Sequence, residues 1–400
     1  KHLNSHTQKP GRNNYFDKTF KITTRALNIS RSHPYIPRDW KWALQFCTFH
    51  GLYTVAFVNI IYNIVCHDLK INDFPQACKN AILLVVYFVI TLQYGVLLWH
   101  QDSIADLISD MKKDYGQSND LNSAEREMLH KYANQGVWVT KQWLVVASNG
   151  TALFICKSFI LMLYYYCIGE TRLVSIYDIV YPSFIEKNKD NIYVYVLTYA
   201  LMAHFGAYSS LMYIAYVPLG PIFMLHMCGQ LDMVRNQIDD LFVEYDDLVI
   251  KKKLKRIIVR LQYIYSFVDR INGIFKIAYE FTLKGTTLML PITLYEVLEA
   301  FNHGEISLEF ITFLVGGTLI SSSPCYYSDL LMEKGEKVRL SLYLCGWELY
   351  YDRRTRTTLQ LMLQHALKPI AIQTIFRVLC LDALLKQSYA IFNLMNAMWS

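Results

Sequence analysis

Long uninterrupted runs of apolar residues dominate the pattern along this chain, and polar residues collect between them. A helix needs about 20 mostly apolar residues to cross a bilayer. By that measure there are seven candidate spans, at residues 43–65, 81–99, 143–168, 192–217, 286–301, 310–327 and 369–398. A helix on the surface of a soluble core should show a polar face, yet the run 81–99 has few polar positions, chiefly Thr91 and Gln93. We therefore predict an all-α membrane protein with seven transmembrane helices.

Lysine and arginine are distributed very unevenly between the two sides of these runs. Thirty-one fall before the first run or in the second, fourth and sixth connections, and five fall in the connections on the other side. Cytoplasmic loops carry the excess of positive charge. The N-terminus is therefore predicted to be cytoplasmic and the C-terminus extracellular, an orientation opposite to that of a G-protein-coupled receptor.

Apolar residues also recur at helical spacing in the basic connections, after the fourth run, before the fifth, and over residues 340–366. This predicts cytoplasmic extensions of helices 4–7. Amphipathic helices must bury their apolar faces. They could pack on their own bundle, lie on the membrane interface, or form an anchor shared between subunits, and the pattern alone leaves these alternatives open.

The chain shows no signature of catalysis or metal binding. Its nine cysteines form no Cys-x-x-Cys pair and no cluster with histidine, so neither a metal site nor another cofactor is predicted. Cys66 and Cys78 could form a disulfide or remain free thiols. Phosphate-loop, Gly-x-Ser-x-Gly and His-Glu-x-x-His motifs are absent, and no enzymatic activity is predicted. With 53% hydrophobic and 18% charged residues, the composition excludes a disordered chain and a nucleic-acid-binding tail.

The last eighty residues carry several short motifs in a fixed order. Residues 325–335 read Cys-Tyr-Tyr-Ser-Asp-Leu-Leu-Met-Glu-Lys-Gly, and Trp347, the basic patch 353–356, Pro369 and the Ser-Tyr-Ala-Ile-Phe of residues 388–392 follow. Together with seven spans and a cytoplasmic N-terminus, this order resembles the C-terminal signature of insect odorant receptors. The motif that ends helix 7 of insect gustatory receptors does not match this sequence. The fourth connection, between helices 4 and 5, looks shorter than that of the odorant co-receptor, which carries a large insertion there. The resemblance indicates a ligand-tuned subunit.

The resemblance implies an odorant-gated, non-selective cation channel in the plasma membrane of olfactory sensory neurons. Four subunits, tuned subunits together with the odorant co-receptor, would surround one pore. The chain would then divide into a cytoplasmic N-terminal segment (1–42), transmembrane helices 1–6 with the odorant pocket (43–327), cytoplasmic anchor helices (328–368) and a pore-lining helix 7 (369–400). The expected partners are a small volatile odorant, the co-receptor and membrane lipid, without nucleic acid. A gustatory-type ligand-gated channel and a multi-span small-molecule transporter are the alternatives.

By the same resemblance, the ligand pocket is expected in the outer half of the membrane, between helices 2, 3, 4, 5 and 6. The candidate pocket residues are aromatic, aliphatic or hydroxyl-bearing: Tyr87, Phe88, Thr91, Thr151, Phe154, Ile155, Ser158, Tyr195, Tyr199, Met202, Thr293, Phe310 and Phe313.

The candidate pore residues share one face of helix 7 at three- and four-residue spacing. They are Gln387, Ile391, Leu394 and Met398. A hydrophobic ring can block ions by dewetting, so Leu394 and Met398 are expected to form the gate, with Gln387 as a polar pore-lining residue. Such a stripe equally fits packing against helices 5 and 6, and only the resemblance favours the pore. Asp382 and Lys386, four residues apart, are expected to form an ion pair.

Overall fold

A computed structural model describes residues 15–117, 122–244, 246–302, 304, 308–386, 388, 389 and 393. These ranges contain helices and the segments that connect them, without a strand of any sheet. The helices are α1 (Tyr15–Thr19), α2 (Lys21–Ile29), α3 (Trp40–Asn63), α4 (Phe74–Trp99), α5 (Gln101–Gly116), α6 (Ser123–Ile168), α7 (Ser183–Glu186), α8 (Ile192–Tyr216), α9 (Leu219–Asp239), α10 (Asp247–Asn302), α11 (Leu308–Leu344) and α12 (Arg353–His365). A π-helical turn, Ile64–Asp68, extends α3, and a 3-10 turn, Trp347–Leu349, follows α11.

Local sequence explains where several helices begin and end. Asp39 caps α3 by accepting a hydrogen bond from the backbone N–H of Trp42 at 2.8 Å. A reciprocal capping box between Asn122 and Glu125 opens α6. The same helix ends at Gly169, whose φ of 89° lies in the left-handed region that glycine adopts without strain.

Five helical stretches of the described chain are long and apolar enough to cross a membrane. They are Trp40–Asp68, Phe74–Trp99, Ser123–Ile168, Ile192–Asp239 and Leu308–Leu349. Each contains one of the runs predicted from the sequence. The predicted run 286–301 forms the end of the much longer helix α10, which carries Pro291 inside it and is not among the five.

The predicted seventh helix starts later than Pro369. Residues 369–380 are not helical, and helical residues begin at 381. In the intervening segment the N–H of Thr374 bonds to the carbonyl of Arg377 at 2.8 Å, and the N–H of Leu379 bonds to that of Ile372 at 2.9 Å. These bonds fold the segment back on itself, which an extended helix starting at the proline would not allow.

Helix α9 lies at the centre of the core, surrounded by α6, α10 and α11. All residues from Leu219 to Leu231 are buried, and α10 contributes the buried Ile257 and Ile264. The apolar faces of α9 and α10 therefore pack within their own chain. Around α11 and α12, by contrast, several large apolar side chains remain exposed, among them Leu340, Tyr343, Leu361 and Leu367.

At the end of the bundle formed by α5, α9 and the first half of α10, the core contains a polar centre. One oxygen of Asp114, Oδ2, accepts hydrogen bonds from His226 Nε2 at 2.8 Å, Gln230 Nε2 at 3.2 Å and the Tyr263 hydroxyl at 2.8 Å. Burial and the adjacent Asp114 carboxylate raise the pKa of Tyr263, so its hydroxyl remains a donor. A single carboxylate thereby joins three helices.

Gly220, which has no side chain, allows α9 to approach α10 more closely than any other residue would. A Cβ at this position would lie 1.8 Å from the hydroxyl oxygen of Tyr279. That hydroxyl is buried without a hydrogen-bond partner. We expect Gly220→Ala to lower the free energy of unfolding by about 1–3 kcal/mol, as overpacking of a core does, measured as a lower melting temperature of the detergent-solubilised protein.

The hydroxyl group, not the ring, causes most of this overlap. Adding Tyr279→Phe to Gly220→Ala should therefore restore most of the lost stability, and Tyr279→Phe alone should be close to neutral because it removes an unpaired polar atom. Equal melting temperatures for the single Gly220→Ala and the double variant would contradict this account of the contact.

Candidate ligand-binding cavity

A cavity of about 400 Å³ lies within the bundle between α4, α6, α8, α10 and α11. Tyr177, from the segment between α6 and α8, completes its wall. The wall is mainly aliphatic and contains no acidic or basic side chain among its described residues. Concave, mostly apolar walls with a few polar groups are typical of small-molecule sites. This space is hereafter the central cavity.

Two glycines allow close approaches at the central cavity. A Cβ at Gly317 of α11 would lie 2.5 Å from Met289 Cε and 3.1 Å from Leu290 in α10. On α8, Gly206 lies beside the Tyr177 hydroxyl, which would be 3.1 Å from a Cβ at that position. A larger residue at either position would displace a cavity-lining side chain.

An aromatic layer closes the cavity at the end nearest residues 169–191. The ring of Phe154 lies 5.2 Å from that of Tyr177 and 5.3 Å from that of Phe313, measured between centroids. These rings come from α6, the connecting segment and α11, so the layer depends on how the three are held together.

An ionic cluster lies about one helical turn beyond the aromatic layer. Lys79 Nζ is 2.7 Å from Asp178 Oδ2 and also pairs with Glu309, while Lys157 pairs with Glu309 and lies 4.0 Å from Asp178. Burial alone would raise the pKa of the Asp178 carboxyl, but Lys79 and Lys157 outweigh it and hold that pKa below its ordinary value. These four residues, the ionic cluster, join α4, α6, α11 and the 169–191 segment.

On one flank the central cavity is open between α6 and α11. Val145, Asn149 and Leu153, spaced four residues apart on α6, line the cavity and are also exposed on the surface. Ile311 and Val315 do the same on α11. The cavity thus communicates with a predominantly apolar side of the bundle.

The structure brings three of the predicted pocket residues to the cavity wall, namely Thr151, Phe154 and Phe313. Seven others lie buried or half-buried in the bundle without lining the cavity: Tyr87, Thr91, Ile155, Ser158, Met202, Thr293 and Phe310.

The three remaining predicted pocket residues lie elsewhere. Phe88 is 61% exposed on α4. The Tyr195 hydroxyl donates to the carbonyl of Val174 at 2.8 Å, and Tyr199 packs edge-on against Phe159. None of the three is among the described lining residues of the central cavity.

Sequence reasoning missed most of the lining because it favoured aromatic side chains. Most of the missed residues are small, polar or aliphatic, and include Leu83, Val86, Val89, Ala147, Gly206, Ser209, Ser210, Thr286, Met289, Gly317 and Ile320. The aromatic residues Trp143, Tyr177, Phe205 and Tyr213 were missed as well. Many aromatic residues instead pack around His50 between α3, α4 and α8. The rings of Tyr53, Tyr87, Tyr94 and Tyr208 lie 5.9 to 6.3 Å from its ring.

The predicted pore residues Gln387, Ile391, Leu394 and Met398 lie outside the described residues. Immediately before them, Lys386 Nζ is 2.7 Å from Asp382 Oδ2, which confirms the predicted ion pair. Cys66 and Cys78 are free thiols in the structure, like the seven other cysteines.

A cavity of this kind would suit a receptor or a transporter, and the family of the chain distinguishes between them. A family model described as 7tm Odorant receptor matches residues 73–389. The chain belongs to the 7tm odorant receptor family. This confirms the resemblance inferred from its C-terminal motifs, and it indicates a membrane receptor of odorants rather than an enzyme. No curated protein matches the chain of this odorant receptor.

Solved structures share the fold of this odorant receptor. The insect olfactory receptor OR5 from Machilis hrabei superposes with a TM-score of 0.70 at 14% identity, covering 95% of this chain and 98% of that one. The same receptor in complex with eugenol gives a TM-score of 0.72 at 14% identity, with 96% and 99% of the two chains covered. The likeness extends over almost the whole length of both chains.

Proposed function

We propose that this odorant receptor is an odorant-gated, non-selective cation channel subunit that binds small, mostly apolar volatiles in the central cavity. The observation that carries the proposal is the cavity itself, an apolar space of about 400 Å³ inside the bundle of a family member. The eugenol complex of the Machilis hrabei receptor supports a ligand of this size and character.

Burial of apolar surface would supply most of the affinity. At about 25 cal/mol per Å², a ligand that buries roughly 250 Å² gains on the order of 6 kcal/mol before the entropic costs of binding. Each hydrogen bond then adds a further increment and selects among ligands of similar shape.

In the proposed assembly, four subunits, including the odorant co-receptor, surround one pore in the plasma membrane of olfactory sensory neurons. Seven spans carry the chain from a cytoplasmic segment (1–42) through helices 1–6 (43–327) and the cytoplasmic anchor (328–368) to a pore-lining segment (369–400). The lysine and arginine asymmetry supports this orientation, which would place the ionic cluster on the extracellular side. The exposed apolar side chains around α11 and α12 are suited to contacts between anchors.

The gate is proposed to be a ring of Leu394 and Met398 near the outer end of the pore. Leu394→Ala should weaken dewetting at that ring and raise the ligand-independent current about tenfold or more. Patch-clamp recording of the resting conductance, normalised to surface expression, measures the effect. If the variant shows the wild-type leak and ion permeation, Leu394 does not form the gate.

Co-expression with the odorant co-receptor tests the proposed function. Inward cation currents should follow puffs of volatiles within a panel, and cells expressing the co-receptor alone should not show the same ligand profile. Uptake of a ligand without a macroscopic current would instead favour a transporter. Silence toward every volatile, despite delivery of both subunits to the cell surface, would contradict the proposal.

A further inference from the structure

Most hydroxyl groups on the wall of the central cavity already donate within the protein. Of the six serine and threonine residues in its described lining, five donate to backbone carbonyls. Ser210, for example, donates to Ala147 at 2.7 Å, and Thr151 donates to Gly206 at 3.0 Å. These side chains have no further hydrogen to offer a ligand, so they act toward it only as weak acceptors.

Two tyrosines on the same wall differ from these serines and threonines in that their hydroxyl groups are unpaired among the described residues. Tyr177 and Tyr213 both line the cavity, and neither hydroxyl has a hydrogen-bond partner among the described residues. The indole N–H of Trp143 is likewise without an acceptor there. Asn149 adds an unpaired amide at the open flank between α6 and α11. The wall therefore presents donors in excess, and a tyrosine O–H or indole N–H needs an acceptor once water is displaced.

Among its described lining residues, the cavity has no charged side chain that could pair with an ionised ligand. The nearest cationic groups found beyond its aromatic layer, Lys79 and Lys157, are both already paired with Glu309. Moving a carboxylate from water into an apolar space without a paired charge is strongly unfavourable. Fatty acids in their ionised form should thus be excluded.

We propose that the central cavity selects neutral molecules with a hydrogen-bond acceptor on an aliphatic frame, such as ketones, aldehydes and esters, and that the Tyr177 and Tyr213 hydroxyls are the specificity-determining donors. This inference rests on the proposed function and specifies its ligand class. An alkane of equal length would fill the same space but desolvate the donors without pairing them. A ketone should accordingly be about tenfold or more potent than the matching alkane.

The test compares ligands of equal carbon number within each receptor variant. Methyl ketones, alkanes and carboxylates of six to ten carbons are applied to cells that express the receptor with the co-receptor, and the half-maximal concentration of each is measured at neutral pH. In the wild type, ketones should be the most potent and carboxylates inactive. Tyr177→Phe or Tyr213→Phe should weaken the ketone response about tenfold. The alkane response should not weaken and should rise if it changes, because one donor no longer has to be desolvated.

Tyr193→Phe is the matched control, since Tyr193 is 82% exposed on α8 and does not line the cavity. The ratio of ketone to alkane potency is read within one variant, so a lower surface level does not affect it. Carboxylates as potent as ketones, or a ratio unchanged in both cavity variants, would overturn the inference while odorant gating still stands. A wild-type receptor without any volatile-evoked current would overturn the proposed function instead.

Discussion

Glu309→Gln should lower the free energy of unfolding of this odorant receptor by about 3 kcal/mol or more. Glu309 is 7% exposed, and it pairs with both Lys79 and Lys157. Its removal leaves two ammonium groups to share Asp178, a carboxylate that is itself half-exposed. Breaking one side of a buried ion pair is costly because the remaining charge stays desolvated.

Thermal melting of the detergent-solubilised receptor measures this effect. Glu333→Gln is the matched control, because Glu333 forms a pair with Lys337 on the exposed side of α11 and exposed pairs contribute about 0–1 kcal/mol. Adding Lys157→Met to Glu309→Gln removes the surplus cation and should recover part of the loss. If Glu309→Gln melts at the same temperature as Glu333→Gln, the ionic cluster does not hold the closed end of the cavity together.

Asp114→Ala is expected to have a comparable effect at the opposite end of the bundle, about 3–5 kcal/mol. The substitution leaves three donors without their acceptor, on His226, Gln230 and Tyr263. Each buried donor left unpaired costs about 1–3 kcal/mol, and the three costs are not strictly additive. The helices α5, α9 and α10 would lose the group that joins them.

The melting temperature of the purified receptor, together with its surface level in cells, tests this prediction. Asp106→Ala offers a control on the same helix, since Asp106 is exposed and has no described partner. It should melt like the wild type. A stability of Asp114→Ala equal to that of Asp106→Ala would show that the polar centre contributes little.

The amphipathic segments do not all bury their apolar faces in the same way. On α9, apolar residues such as Met224 and Leu231 are buried within the chain itself. Around α11 and α12, Leu340 and Leu361 stay exposed. Helical spacing predicts only that a face is apolar, because the pattern is the same whichever surface covers it.

For the predicted pocket, the sequence indicated the surrounding helices better than the individual residues that face the cavity. The helices that surround the central cavity are those expected to surround the family's pocket. Thr151 and Phe154, which were predicted from the sequence, line this cavity. Gly206 and Met289 line it too but were not predicted, because nothing local distinguishes a cavity-facing glycine or methionine from one in an ordinary helix contact.

The sequence by itself determined the helical class, the apolar runs, the charge asymmetry and the family, since each depends on the order of residues or on their local spacing. Only the tertiary structure decided which faces meet. It brought Lys79, Lys157, Asp178 and Glu309 together from four separate elements, and it placed the tyrosine-rich cluster around His50 rather than at the ligand cavity. In a helix that is apolar on every side, periodicity carries no signal of orientation. Orientation is set by packing against partners that are distant in the chain.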